Sequence, residues 1–574
     1  QLPPAHFLIW KAGEIYNYIE IKKELEAKGY RFHTDCDTEV LSCAFAEWKT
    51  NCLEKMNGMF AFAVWDSAEK TLTLARDRAG IKPLYYAKFG GQIIFASEIK
   101  AILAAGLIKA ELDFEGLNQF LTFLWTVPPH TLFKNIFQLP PAHFLIWKAG
   151  EISVKQWWDL DFSQEEKNGR TENFWRESVL ETLDKAVQME MIADVPLGAF
   201  LSGGVDSSSI VALMSQHSKQ KISTYTTGIS AADLSFDIIP DDVKWSRKVA
   251  EILPVDYHET ILTPDLTELL PKLVYQQDAP VIDMAIPSFL ISEQARATQK
   301  VMLSGMGGDE IFAGYPRQAA MQIAGMTDFI PSAVRNPLMK TIDLTLSGGV
   351  RGKFTAPLRN AKKFARSAGL DFENRYLGFG TYFSDALKSK VYTENLRGIM
   401  NNFDAYRYHR EYFEKAKNFS PLNRLLYVDF KTFMPALNLD TTDKTSMAAN
   451  LEVRVPFLNH ELVELSARIP TNLKIKGLKR KYILKKAAES LLPKDVIWRK
   501  KAGFSAPVRS WVRTSLKPLI NDLLSEETIK RRGLFNDREI KKIIDLNNAG
   551  REDFNLQVFQ LLNLEIWMRE FLDK

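Results

Sequence analysis

The sequence is poor in cysteine. Three thiols, Cys36, Cys43 and Cys52, stand among 574 residues. Their spacing fits no zinc pattern, and three thiols make no disulfide framework, so a reducing, cytoplasmic compartment is the expectation. No run of ~18 apolar residues could cross a bilayer. The most apolar stretch, FLTFLWTVPPHTLF (120–133), is broken by paired prolines. A basic leader with an apolar core and cleavage site is also absent, so neither secretion nor a membrane is expected. Charge of one sign is scarce too: 74 Lys and Arg against 70 Asp and Glu leave a formal charge of +4. That balance offers no basic face for nucleic acid. The short clusters Lys479-Arg480-Lys481 and Arg499-Lys500-Lys501 read as solvated surface, Lys481 excepted.

What is present is the composition of a globular protein with full cores: 46% apolar and 25% charged residues. The length suggests two to four domains. From about 16 to 160 the text is strand-like. FAFAVWD (60–66), TLTLARD (71–77) and QIIFAS (92–97) predict strands, EIKAILAAGLI (98–108) a short helix, and HFLIWKAGEIS (143–153) a strand entering a glycine turn. The polar segment DFSQEEKNGRTEN (161–173) predicts a domain boundary. Beyond it, helical periodicity alternates with short apolar strands at LGAFL (197–201), ISTYTTGI (222–229) and KVMLS (300–304). Alternation of this kind predicts a parallel sheet with crossover helices. From about 320 onward the text is mostly helical.

One feature belongs to no fold logic. QLPPAHFLIWKAGEI occupies residues 1–15 and again residues 138–152.

The strongest chemical signal is LSGGVDSSS (201–209), where a buried strand gives way to a helix. Two glycines let the backbone turn tightly against a ligand, and the helix start aims N–H groups and positive potential at the same spot. Ser207 and Ser208 add hydroxyls. The size suits a diphosphate. Asp206 would repel a bare phosphate but fits a Mg²⁺ lying between carboxylate and phosphate oxygens. LSGMGGDEIFAGY (303–315) has the same character, with Asp309 and Glu310 after a glycine loop. Two such loops at the ends of parallel strands would converge at one sheet edge, letting Asp206 and Asp309 share the metal. SGGVRGKF (347–354) fails as the common GxxxxGK[ST] loop at both ends.

SGGVDSS resembles the diphosphate loop of the ATP pyrophosphatases. Together with SGMGGDEIFAGY, DKTSMAANLEVRVPFLNHELVE (443–464) and KAGFSAPVRSW (501–511), it resembles glutamine-dependent asparagine synthetase. GEIYNYIEIKKELEAKGYRFHTDCDTEVL (13–41), NGMFAFAVWD (57–66) and RDRAGIKPLYYA (76–87) are similar to that family's glutaminase domain. The resemblance implies a truncated N-terminal-nucleophile (αββα) glutaminase domain over 16–160. It implies a parallel-sheet ATP-pyrophosphatase domain, helical toward its end, over 173–574. It further implies small-molecule substrates, ATP with Mg²⁺, an aspartyl-adenylate, and ammonia drawn from glutamine; it leaves a homodimer open. By motif, Leu201, Ser202, Gly203, Gly204, Asp206, Ser207, Ser208, Thr227, Ser304 and Gly305 would bind ATP or diphosphate. Asp206 and Asp309 would hold the metal, and Lys481 would meet the α-phosphate. Gly13, Glu14 and Asp37 would remain from the glutamine pocket, and Glu452 and Arg454 would shape the acceptor pocket or brace the fold.

Two departures stand out. The family's glutaminase uses a cysteine at the start of its mature chain, where Gln1 stands here, and Ala12 replaces an asparagine before Gly13. A join across the shared tripeptide Gly-Glu-Ile would explain residues 1–15 as a recombination or assembly artefact. The expectations are then unpaired strand edges in the first domain and no glutamine hydrolysis. Second, Met306 stands where a glutamate is common, and a thioether neither takes a proton nor bonds strongly. The acceptor could therefore be another carboxylate, such as a sugar acid or a secondary-metabolite acid.

Overall fold

The computed structural model describes residues 7–166, 169–230, 242–327, 370–499 and 506–574, with the isolated residues 233 and 341. The loop 347–354 and the start of KAGFSAPVRSW lie outside the described residues.

The first half is built on two antiparallel sheets. β1 (Phe7–Ile15), β2 (Gly58–Asp66), β3 (Thr71–Arg76), β7 (His143–Lys148) and β8 (Glu151–Gln156) form the larger sheet in the order β1-β2-β3-β7-β8. β4 (Tyr85–Phe89), β5 (Gln92–Ala96) and β6 (Phe137–Gln138) form the smaller, in the order β5-β4-β6. The text of β2 explains the stacking. Its residues alternate in direction, but both faces are apolar and buried, so both must be covered. Phe60, Phe62 and Val64 pack on Val40, Leu41 and Phe45 of the helix Asp37–Trp48. Ala61 and Ala63 pack with Leu74, Leu84 and Leu145, where Tyr86, Ile93 and Phe95 of the smaller sheet close the layer.

The repeated peptide takes two forms. In its second copy the chain turns at Ala149 and Gly150, both with positive φ, and returns as β8. In its first copy FLIWKAGEI runs through as one strand, paired with β2 from Phe7 opposite Asp66 to Ile15 opposite Gly58. This corrects the expectation of an open edge beside β2. A ladder is made by main-chain groups and accepts any strand without proline that can lie flat, so the edge moves outward to β1.

The second half centres on a five-stranded parallel sheet. β9 (Leu197–Phe200), β10 (Ile222–Ile229), β11 (Val255–Leu262), β12 (Val301–Leu303) and β13 (Glu452–Arg454) lie in the order β11-β10-β9-β12-β13. β9, first in sequence, is central. The chain builds outward on one side through β10 and β11, then returns to the other side with β12. The strand order therefore reverses between β9 and β12, and ligands of open parallel sheets bind beyond the strand ends at such a reversal. Helices cover both faces, and the inner strands β9 and β12 are short apolar runs, whereas β11 (VDYHETIL) at the edge is polar and partly exposed.

The halves meet through buried polar contacts. Lys82 Nζ lies 2.7 Å from Asp443 Oδ1, with both side chains nearly inaccessible. Tyr85 donates to Asp440 at 2.9 Å, and Asp278 accepts from the backbone N–H of Ile99 at 2.8 Å. Removing one partner of a buried ion pair leaves an uncompensated charge. Lys82→Met should therefore lower the stability read from urea unfolding by about 3–5 kcal/mol, and the pair Lys82→Met with Asp443→Leu should recover most of it. Equal stability of Lys82→Met and the parent would contradict the role given to this contact.

Candidate active site at the sheet reversal

β9 ends at Phe200 and the helix Val205–His217 begins five residues later. Between them Gly203 has φ +66, and a Cβ there would lie 2.4 Å from the Trp245 backbone, so only glycine fits. Gly204 is the N-cap and contributes no side-chain cap. Ser207 Oγ meets the Ser202 N–H at 3.2 Å and Ser202 Oγ at 3.0 Å, tying the loop's entry to the helix's first turn. Ser208 Oγ is fully buried with no hydrogen-bond partner among the described residues. Arg499 donates to the Ser202 carbonyl at 3.1 Å and pairs with Asp242 at the same distance.

The neighbouring strand β12 delivers the second loop. Ser304 N–H donates to the Arg454 carbonyl of β13, and the Met306 N–H donates to Ser304 Oγ at 3.3 Å. The glycines here are spaces for the first loop. A Cβ on Gly305 would sit 2.5 Å from the Ser207 nitrogen, and one on Gly308 would sit 2.8 Å from Asp206 Oδ1. The helix Gly308–Ile311 then carries Asp309 to the same point.

Asp206 and Asp309 meet at Lys481. Its Nζ lies 2.5 Å from Asp206 Oδ2 and 2.5 Å from Asp309 Oδ1. Lys481 precedes the helix Tyr482–Ala488 in the left-handed conformation, φ +52, which aims its side chain back at the loops. Gly314 completes the fit, because a Cβ there would lie 1.7 Å from Asp309 Oδ1 and 2.1 Å from Lys481 Cε. Burial opposes the Lys481 charge, but Asp206 and Asp309 outweigh it and hold the ammonium above its ordinary pKa. Asp206 Oδ1 stays buried without a hydrogen-bond partner among the described residues. Arg480 and Lys485 flank the cluster; burial, then Lys481 and Arg480, push Lys485 down to about 8. The assembly is a cationic cradle over two carboxylates, able to take a polyanion with a divalent ion.

The remaining predicted residues sort by place. Leu201 is buried in the loop and Thr227 half-buried near the end of β10. Glu310 points away from Asp309: its Oε1 accepts from Tyr315 at 2.6 Å and Asn438 at 2.7 Å, so it is no substitute at position 306. Met306 Sδ lies 3.5 Å from Thr442 Oγ1. Glu452 and Arg454 do not join the Lys481 cluster through any contact of the described residues. Arg454 binds Glu452 Oε1 at 2.8 Å and the carbonyls of Glu190 and Ile192 at 2.7 Å, and faces Tyr16. Gly13, Glu14 and Asp37 do gather, but around Lys11. That lysine lies 2.5 Å from Asp37 and donates to the Gly13 carbonyl at 2.6 Å. Cys43 and Cys52 are buried thiols, pushed up by burial to about 11 and about 12. Gly308 belongs to the expected glycine loop, whereas Arg499, read from sequence as solvated surface, is buried against the Ser202 carbonyl; Gly314 was not predicted, its only signal being its place in the GDEIFAGY run.

Both halves of the chain match known families. Residues 178–569 match the asparagine synthase family, and residues 4–158 match the glutamine amidotransferase domain. Asparagine synthetase [glutamine-hydrolyzing] 1 of Bacillus subtilis is 32% identical over 558 residues, covering 97% of this chain and 84% of its own. A putative asparagine synthetase of Mycobacterium tuberculosis is 29% identical over 586 residues, covering 100% and 86%. Amidase chry2 of Gibberella zeae is 26% identical over 568 residues, covering 93% and 82%. The protein is an ATP-dependent carbon–nitrogen ligase. It belongs to the asparagine synthase family.

Beside Arg454, Glu190 is buried, and burial pushes its carboxyl up to about 8. Unfolded, it ionises above its ordinary 4.5. The folded state holds the extra proton between those values, so Glu190 drains stability as pH rises through that window, the loss being complete near 8. Glu190→Gln should therefore melt higher than the parent at about pH 9, the margin closing toward about pH 5. A margin independent of pH would contradict the assignment.

Proposed function

We propose that this ligase adenylates the side-chain carboxylate of aspartate and amidates it to asparagine. The aspartate oxygen attacks the α-phosphorus of ATP, the bond to the bridging oxygen of the diphosphate breaks, and diphosphate leaves. Ammonia then attacks the acyl carbon, loses a proton, and AMP departs. The observation that carries this reading is the meeting of Asp206, Asp309 and Lys481 over the Ser202–Ser208 loop.

In this assignment the Ser202–Ser208 loop holds the leaving diphosphate through first-turn N–H groups and the Ser207 and Ser208 hydroxyls. Lys481 balances the charge that grows as the bond breaks. Leu201, Thr227, Ser304 and Gly305 line the nucleotide. Asp206 and Asp309 would hold a Mg²⁺: the buried, unbonded Asp206 Oδ1 and the space kept by Gly308 fit a cation there. When bound, Mg²⁺ offsets phosphate charge. The amide nitrogen enters as ammonia. In the glutamine-pocket remnant the Lys11 ammonium lies on Asp37, with Cys36 exposed beside it, while the thiols of Cys43 and Cys52 are buried.

A second reading keeps the chemistry and changes the acceptor. Met306 favours it, since its thioether offers no proton acceptor beside the reacting carboxylate. Product analysis with ATP and Mg²⁺ separates the readings: asparagine should form from aspartate with ammonia. Asp206→Asn or Asp309→Asn should lower kcat/KM for ATP by roughly 100-fold or more. Adenylation of another acid in preference to aspartate would move the assignment to the second reading.

A further inference from the structure

The Lys481 ammonium lies 2.5 Å from each of two carboxylates that come from different strands of the sheet. That is the place a divalent ion shared by Asp206 and Asp309 would need. It is nearly closed to solvent, with Lys481 3% exposed. Two cations cannot share it. At contact distance their repulsion in a poorly screened site is large. A metal arriving alone would have to expel the ammonium, and the described residues provide it no third carboxylate within ion-pair distance. The groups around it are themselves cationic: Arg480 is committed to the Gly314 carbonyl at 2.5 Å, Lys485 stands over the Trp498 ring, and Arg499 holds Asp242.

We propose that Lys481 is a placeholder that keeps the carboxylate pair closed to divalent cations until a diphosphate-bearing ligand arrives. The inference rests on the metal assignment above. The incoming phosphates supply the anion that the ammonium needs, so releasing the carboxylates no longer strands a buried charge. Metal and polyphosphate then bind with strong mutual coupling, each raising the other's affinity by the same factor. Lys481 thereby acts before any chemistry, by making free metal a poor ligand and the metal–nucleotide complex a good one.

Mn²⁺ binding followed by electron paramagnetic resonance tests this without turnover. In the parent protein, Mn²⁺ alone should bind weakly, and saturating inorganic diphosphate should tighten it by roughly 100-fold, within the range of strong coupling. Lys481→Met, with folding checked by circular dichroism, should bind Mn²⁺ alone at least tenfold tighter than the parent and show a much smaller diphosphate effect. If that variant does not fold, Lys481→Gln, which removes the charge and keeps a hydrogen-bonding side chain, takes its place with the same expectation; a Lys481→Gln protein that binds Mn²⁺ alone no tighter than the parent overturns the placeholder. Parent protein that binds Mn²⁺ equally with and without diphosphate overturns the placeholder while leaving the metal assignment standing. No Mn²⁺ binding in any form, diphosphate present, overturns both.

Discussion

One ammonium between two carboxylates organises this protein. Asp206 follows β9, Asp309 follows β12, and Lys481 caps the start of a helix 172 residues beyond Asp309. Burying either carboxylate alone would be costly, and burying the lysine alone more so. Together they form a compact unit that requires the other constraints. Gly305, Gly308 and Gly314 must lack a Cβ for the three segments to approach. Lys481 must take a left-handed backbone to reach them. β9 and β12 must be neighbours, which a reversal of strand order achieves.

The same economy governs the join between the halves. Lys82 and Asp443, and Tyr85 with Asp440, place ionic and polar groups in a buried boundary. Asp443 belongs to the helix that also presents Thr442 to Met306 in the second loop. The boundary and the candidate site therefore share one element.

Much of this was legible from residues. β2, β3, β5, β9, β10 and β12 fall where alternation or apolar runs indicate them, because each has faces that must be buried. SGGVDSS and GGDE announce their loops, since twin glycines before a helix have few other uses. Lys481 came from resemblance alone; nothing in its local text distinguishes it from Lys485. Gly314 was illegible because its demand comes from Lys481, far away in sequence. The fate of Glu310 was illegible for the same reason, set by Asn438. FLIWKAGEI marks the limit most clearly. Identical residues form a through-strand beside β2 and a hairpin beside β3, so partner strands, not local propensity, decide whether Lys-Ala-Gly-Glu turns.

The central claim is that the loops after β9 and β12 make one diphosphate site with a cation between Asp206 and Asp309. Its most direct test is a crystal structure with Mn²⁺ and diphosphate, the metal located by anomalous scattering. The account predicts an anomalous peak touching both carboxylates, diphosphate against Ser202–Ser208, and the Lys481 ammonium on a phosphate oxygen. Metal and diphosphate bound elsewhere, with Lys481 still bridging the two aspartates, would contradict it.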